Sequence, residues 1–365
     1  MKSKTTKEFD ASLEKAEEIL GETDDYNETP PSDIVAFNEL RSCADLVRMH
    51  KSNQLVINPE FQRDVVWSRP EQTRFIDSLV KQLPIPSMCL SLDYKTGKRL
   101  MIDGLQRIYT IIQFISDDQW RLSSLEDIDN KISGRTSQYI RENHSDIFDR
   151  IENLTIPITV LRCDYSKPNH LNYLFTIFHR LNTGGNKLSN QEIRNCIYSG
   201  SFNNLLKELV KDSKVRNMFS LAKDKSYRFS YEELFLRVFA LQENLNNYEG
   251  RLAKFLNDYM NSKKNIDQIE IANKLDKFDR TINILYNKIC EGKALPKLSK
   301  STIESVLIGI YSNIDALEKE NNAKLQSRLK LLREDNNFSI VNLSEGLAAK
   351  DKVKARITKG IYYFS

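Results

Sequence analysis

The sequence predicts an α+β protein with a mixed α/β N-terminal region and an all-helical C-terminal region, and three observations support this fold class. Short runs of apolar and β-branched residues, bounded by Gly, Pro and polar residues, occupy the first half and predict strands. From about Pro168 onward the apolar residues recur at helical spacing. At 365 residues and 40% hydrophobic content, the chain is long and apolar enough for a sizeable core.

Each element of the first region has its own signal. Ser68 is suited to cap a helix whose first turn contains Pro70, and the sequence around Gly97 predicts a hairpin between two strands. In chain order the predicted elements are a helix over 38–50, a strand over 55–57, a helix from Ser68 to Pro84, strands over 88–94 and 99–103, and a strand over 156–163. In the helical region, Ser189 and Glu192 have the spacing of a capping box.

The charge distribution divides the chain further. Residues 1–33 carry four Lys against ten Asp or Glu, so the rest of the chain holds a net charge of +10 within a total of +4. We predict an acidic mobile arm and linker over 1–35, an α/β domain over 36–200 and a helical domain over 201–365. The net positive charge of residues 34–365 attracts phosphate polymers, and we therefore expect DNA as a partner. The alternative is that the basic residues lie on helix faces that contact only solvent.

Targeting and redox signals are absent from the sequence. No apolar stretch approaches the ~20 residues that span a bilayer, and the N-terminus is polar rather than signal-like. The five cysteines are scattered without a Cys-x-x-Cys pair, which disfavours a zinc site or a disulfide framework. We expect a cytoplasmic protein with no membrane contact.

The strongest candidate site is Asp103-Gly104-Leu105-Gln106-Arg107, which follows a predicted strand and opens a helical pattern. At such a junction the backbone N–H groups and the helix dipole can hold a phosphate, and Gly104 permits close approach. Asp103 is either a carboxylate that orients water or binds Mg²⁺, or a plain helix N-cap. Arg107 suits a two-pronged phosphate contact or a surface ion pair, and Gln106 offers a neutral amide for orientation.

Two further segments carry arginines that are candidates for the same pocket. In the first, Gln62 and Arg63 precede Trp67, so Arg63 is a second phosphate ligand or an anchor on the indole. In the second, the residues predicted to bind phosphate are Arg180, Asn182, Gly184 and Arg194. The Asn182–Gly185 segment can form a backbone anion nest or a simple helix stop, and Glu192 has the capping role available.

Taken together and in this order, the three segments resemble the N-terminal domain family of GmrSD-type restriction proteins, a ParB/sulfiredoxin-like group. The resemblance runs from roughly residue 40 to 200, and it implies a ParB/sulfiredoxin-like mixed α/β fold. The family pattern usually reads Asp-Gly-Gln-Gln-Arg, so Leu105 stands where the family has a polar residue, whereas Gln106 and Arg107 are retained.

The resemblance implies a nucleoside triphosphate as ligand or substrate, with Asp103, Gln106 and Arg107 as the hydrolytic residues and Mg²⁺ as a possible metal at Asp103. It also implies a role in restriction or anti-phage defence, in which hydrolysis acts as a switch and the chain can form homo-oligomers. Full-length relatives commonly carry a C-terminal His-based nuclease domain. Because the chain has four histidines and none after His179, we expect the nuclease to be a separate protein. The alternative is a DNA-binding or regulatory module that hydrolyses nothing.

Overall fold

The computed structural model describes residues 29–57, 67–181, 188–221, 230–339, 342–343 and 346–365. The chain divides into two compact units, an α/β unit over Glu28–Lys187 and a helical unit over Leu188–Ser365. The division thus falls earlier than the boundary at residue 200 that the sequence suggested. Of the predicted acidic arm, residues 1–28 lie outside the described residues.

The α/β unit is built on a five-stranded mixed sheet with the order β1-β5-β3-β4-β2. The strands are β1 Val35–Ser42, β2 Leu55–Val56, β3 Met88–Asp93, β4 Arg99–Asp103 and β5 Thr155–Cys163. β5 pairs antiparallel with β1 and parallel with β3, and β4 pairs antiparallel with β3 and parallel with β2. The predicted hairpin between β3 and β4 and the predicted strand β5 are confirmed.

Within the described residues of the α/β unit, six helices accompany the sheet. They are α1 Cys43–Lys51, α2 Arg69–Val80, α3 Leu105–Ser116, α4 Ser137–Asn143, α5 Ser145–Asn153 and α6 Pro168–Leu181. Ile156, Ile158 and Val160 project from one face of β5 into a core that they share with α1 to α5. Because side chains alternate along a strand, Thr159 and Leu161 lie on the opposite face. Helix α6 packs against β4.

Local hydrogen-bonding chemistry determines where α2 begins. Ser68 caps the helix and Pro70 lies in its first turn, as the sequence indicated, and the structure adds Glu71, which forms a reciprocal capping box with Ser68. The Glu71 carboxylate accepts from the Ser68 backbone N–H at 2.6 Å, which satisfies a donor that the helix cannot pair internally.

The predicted helix over 38–50 is wrong in its first part. Residues Val35–Ser42 form strand β1, and the helix α1 begins only at Cys43, with Ser42 as an N-cap that accepts from Asp45 N–H at 3.1 Å. The helical spacing of Leu40, Ala44 and Val47 misled the prediction. Leu40 is in fact 68% exposed. The strand forms because its backbone pairs along its whole length with β5, a partner more than a hundred residues away.

The helical unit contains ten α-helices within the described residues. They are α7 Asn190–Ile197, α8 Ser201–Lys211, α9 Ser213–Met218, α10 Ser230–Asn244, α11 Leu252–Lys263, α12 Gln268–Asn283, α13 Lys300–Ser312, α14 Ile314–Leu317, α15 Asn322–Glu334 and α16 Lys350–Tyr363. A π-helical turn over Ile284–Ile289 continues α12. Every helix in the described part of the chain is too short or too polar to cross a bilayer.

Candidate functional site

The site begins where β4 ends and α3 starts. Asp103 is the last residue of β4, and Gly104 is the N-cap of α3 with φ of 99°. The alternative in which Asp103 itself caps the helix is therefore not the arrangement that forms. The first intrahelical bond runs from Ile108 N–H to Gly104 O at 3.0 Å. Gly104 has no side chain to accept the N–H groups of the first turn, so they can face an anion.

Gly104 is required at this position for two reasons. Its φ lies in the left-handed region, which residues with a side chain rarely adopt. A Cβ built on Gly104 would also lie 2.6 Å from Met88 Cγ and 2.9 Å from Met88 Sδ, well inside van der Waals contact. The glycine thus lets the turn pass directly over the first residue of β3.

Arg107 lies one turn into α3 and joins the turn to the segment before β3. Its Nη2 forms an ion pair with Asp103 Oδ2 at 3.0 Å. Its Nη1 donates to the Pro86 carbonyl, and its Nη2 also approaches the Ser87 carbonyl at 3.4 Å. The guanidinium therefore connects the carboxylate to two consecutive backbone carbonyls.

The two members of this ion pair differ in exposure. The Arg107 side chain is 14% exposed, whereas the Asp103 side chain is 42% exposed. Burial lowers the pKa of Arg107, although the negative charge of Asp103 raises it in part. The pKa of an arginine lies so far above neutral pH that the guanidinium stays charged there. The Asp103 carboxylate is thus the more accessible of the two groups to solvent or a ligand. The more buried Arg107 holds the carboxylate in place through the ion pair.

Gln106 and Leu105 point to structural neighbours. Gln106 Oε1 accepts from the backbone N–H of Trp67 at 3.5 Å, a long bond that joins α3 to the segment preceding α2. Trp67 packs on Phe75 with ring centroids 5.4 Å apart. Leu105 is partly buried against the apolar core of the unit, which accounts for an apolar side chain here.

The remaining predicted phosphate ligands lie on other segments of the chain than the Asp103–Arg107 turn. Gln62, Arg63, Asn182 and Gly184 lie outside the described residues. Arg180 is exposed near the end of α6.

Arg194 belongs to the helical unit, whereas Asp103 belongs to the α/β unit. The Arg194 side chain is 1% exposed, and it pairs with Glu233 at 3.0 Å and donates to Asn257 Oδ1 at 2.9 Å. Glu192 forms the predicted capping box with Ser189.

The sequence analysis missed the role of Pro86 and Ser87. Their carbonyl groups accept hydrogen bonds from Arg107. Because every residue has a backbone carbonyl, the residue type does not indicate this role. The available signal was the Pro84-Ile85-Pro86 run before β3, since proline restricts the backbone and can present consecutive carbonyls in a set direction.

The donor set at the start of α3 limits how a metal can bind. Within the described ranges, no three His, Cys, Asp or Glu side chains are grouped to hold a metal ion. Asp103 is the carboxylate at the turn, and its Oδ2 already pairs with Arg107. One carboxylate suits Mg²⁺ that is held chiefly by phosphates and water, and it does not suit a metal held by protein ligands alone.

Comparison with known proteins agrees with the motif order. Residues 43–199 match the model of the GmrSD restriction endonuclease N-terminal domain. No curated protein and no solved structure matches the chain. The match includes β2 to β5, the Asp103–Arg107 turn and helix α7, and it relates this part of the chain to restriction and defence proteins. Residues 43–199 therefore belong to the GmrSD restriction endonuclease N-terminal domain family.

Proposed function

We propose that the α/β unit binds a nucleoside triphosphate at the C-terminal end of β4 and hydrolyses it as a switch in a DNA-targeting restriction or defence system. The observation that carries the proposal is the exposed Asp103 carboxylate beside the uncapped N-terminus of α3, with Arg107 behind it. This arrangement lies inside the segment that matches the restriction-endonuclease domain family.

The phosphate-binding part of the proposal rests on backbone geometry. First-turn N–H groups and the positive end of the helix dipole favour an anion, and glycine at the cap removes the side chain that would compete with it. Gly104 has a left-handed φ and no side chain that could cap this turn. Arg107 supplies a fixed positive charge close to the same turn.

Hydrolysis requires a group that directs water to the terminal phosphorus. In our proposal Asp103 orients the water and accepts its proton, the new P–O bond forms, and the bond to the bridging oxygen breaks to release a nucleoside diphosphate. Arg107 is the positioning residue, since its ion pair at 3.0 Å keeps the carboxylate at the helix end. Gln106 connects the turn to Trp67, which precedes α2.

Mg²⁺ is part of this proposal only as a companion of the nucleotide. When bound, the ion would neutralise charge on the phosphates, and Asp103 is the residue that would contact it. The same proposal assigns DNA as the sensed partner and a separate nuclease or defence protein as the effector.

A non-enzymatic DNA-binding or regulatory module is the second candidate. The observation in its favour is that the Arg107 guanidinium already pairs with Asp103 and the Pro86 and Ser87 carbonyls. A residue used in this way can stabilise a fold without acting on a phosphate. DNA would then contact other cations, and its affinity would fall steeply with salt.

The deciding experiment measures phosphate release from ATP, GTP, CTP and UTP with Mg²⁺, with and without DNA. Asp103→Asn removes the charge and keeps the size of the side chain, and Asp149→Asn, on the exposed surface of α5, is the matched control. We expect turnover by the wild type and by D149N, and at least a hundredfold less by D103N. Absence of turnover in a folded wild-type protein that binds DNA would favour the module instead.

A further inference from the structure

An open cavity of about 280 Å³ lies at the same end of the sheet as Asp103. We call it the Asn38 cavity, and its lining residues are Asn38, Glu39, Leu40, Ser87, Pro157 and Thr159. Ser87 belongs to both places, because its carbonyl accepts from Arg107 while the residue lines the cavity. The Asn38 cavity and the candidate site therefore meet at Ser87.

The strand register relates the cavity to Asp103. Asp103 in β4 pairs with Cys89 in β3, Cys89 pairs with Thr159 in β5, and Thr159 pairs with Asn38 in β1. Cross-strand partners point to the same face of a sheet, and neighbouring strands lie about 4.8 Å apart. Thr159 thus lies roughly 10 Å from Asp103, and Asn38 roughly 14 Å, along one row. This span is comparable with that between the terminal phosphate and the base of an extended nucleotide.

Polar groups connect the two ends of this row. Thr159 Oγ1 donates to Asn38 Oδ1 at 2.9 Å, and Ser87 Oγ lies 3.4 Å from Thr159 Oγ1. Because the oxygen of the Asn38 amide accepts from Thr159, its NH₂ group is the part of the amide that can donate to a ligand. Within the described residues the Asn38 cavity therefore offers an amide donor and two hydroxyl groups.

Leu40 and Pro157 form the apolar part of the cavity wall, and the lining carboxylate of Glu39 is paired with Arg41 at 2.8 Å. Leu40 is 68% exposed, which is unusual for a leucine on a strand, and Pro157 is its cross-strand partner. A flat apolar surface beside a few directed polar groups is the usual composition of a small-ligand site. The volume of 280 Å³ is slightly below the about 300–1,000 Å³ of typical ligand pockets, so the cavity suits part of a small ligand, such as a nucleoside, and not a larger group.

We propose that the Asn38 cavity holds the base and ribose of the nucleotide whose phosphates bind at Asp103 and α3. This inference rests on the proposed function and adds to it the place where the nucleoside is recognised. The base lies against Leu40 and Pro157 and accepts a hydrogen bond from the Asn38 amide. The hydroxyls of Ser87 and Thr159 face the ribose, and Thr159 keeps the Asn38 amide in its donating orientation.

The test compares a complete nucleotide with a ligand that has no nucleoside. Equilibrium binding of the four nucleoside triphosphates and of inorganic tripolyphosphate is measured by calorimetry for the wild type, Asn38→Ala and Leu40→Ala. Val35→Ala is the control, because Val35 is exposed on the same strand and does not line the cavity. Thermal unfolding of each variant monitors the fold.

We expect N38A and L40A each to weaken binding of the preferred nucleotide about tenfold, which is the loss of one good contact, and to leave tripolyphosphate binding unchanged. V35A should match the wild type with both ligands. Equal nucleotide affinity in N38A, L40A and the wild type overturns the cavity assignment while the phosphate site stands. If the wild type binds neither ligand, the proposed function fails and the inference fails with it.

Discussion

The Arg107 and Asp103 side chains form an ion pair of 3.0 Å between Nη2 and Oδ2, across the junction of β4 and α3. The arginine is the buried partner, and the carboxylate is the exposed one. In the proposed function Asp103 acts on water and Arg107 positions it, and this order of exposure leads to the first prediction.

Replacement of Arg107 by Lys should reduce phosphate release at least tenfold while costing only about 1 kcal/mol of stability. Lysine keeps the charge, but its single ammonium cannot reproduce the planar fork that reaches Asp103 and the Pro86 and Ser87 carbonyls together. Steady-state kinetics and urea unfolding measure the two effects. Arg48→Lys, in an exposed helical ion pair with Asp45, is the control and should change neither. Wild-type turnover by R107K would show that the fork is not needed.

Gly104→Ala should destabilise the α/β unit more than Gly97→Ala does. Both glycines have positive φ, so either alanine carries a backbone cost of roughly 1–2 kcal/mol. Only at Gly104 would the new Cβ also clash with the Met88 side chain, which adds about 1–3 kcal/mol, whereas Gly97 faces open space. Urea unfolding of both variants gives the difference. Equal losses would mean that the contact with Met88 is not tight in solution.

The Glu233 carboxylate should make the helical unit acid-sensitive. Burial alone would raise its pKa, but the charges of Arg237 and Arg194 outweigh burial and lower the pKa to about 2, below the 4.5 of an ordinary glutamate. The folded state therefore gains stability from this group above pH 4.5, and the gain is lost as the pH falls towards 2. Urea unfolding of the wild type between pH 2.5 and pH 6 should show this slope.

Glu233→Gln should flatten that slope, and at neutral pH it should cost about 3 kcal/mol because Arg194 loses its buried partner. Glu208→Gln, exposed on α8, should keep the wild-type profile. A wild-type slope in E233Q would assign the acid sensitivity to other carboxylates.

Gly360→Ala should destabilise the helical unit by about 3 kcal/mol. Helices α13 and α16 cross so closely that a Cβ at Gly360 would overlap the Ser305 carbonyl oxygen, which is backbone and cannot rotate away. Gly292→Ala is the comparison, since Gly292 has φ of 73° and open space around it. The midpoint temperature of thermal unfolding should be lower for G360A than for G292A. The reverse order would show that the crossing can open without cost.

The sequence alone predicted those parts of the fold whose causes are local. The β3–β4 hairpin, the helix cap at Ser68, the capping box of Ser189 with Glu192, and the Asp103–Arg107 turn each depend on residues a few positions apart. The candidate site at Asp103 was found for the same reason. Its partners Pro86 and Ser87 were not, because a backbone carbonyl looks the same in every residue type.

Tertiary structure decided the features whose partners are distant in the chain. β1 is a strand because β5 pairs with it, although its own residues have helical spacing. Arg194 is buried in an ion pair with Glu233, and no local pattern distinguishes it from an arginine that binds phosphate. The row of Asp103, Cys89, Thr159 and Asn38 exists only once four strands are in register. The sequence thus determined the turn, because local hydrogen bonds and φ preferences act within a few residues. Only tertiary packing decided which side chains lie near that turn, because strand pairing over a long sequence distance overrides weak local preferences for secondary structure.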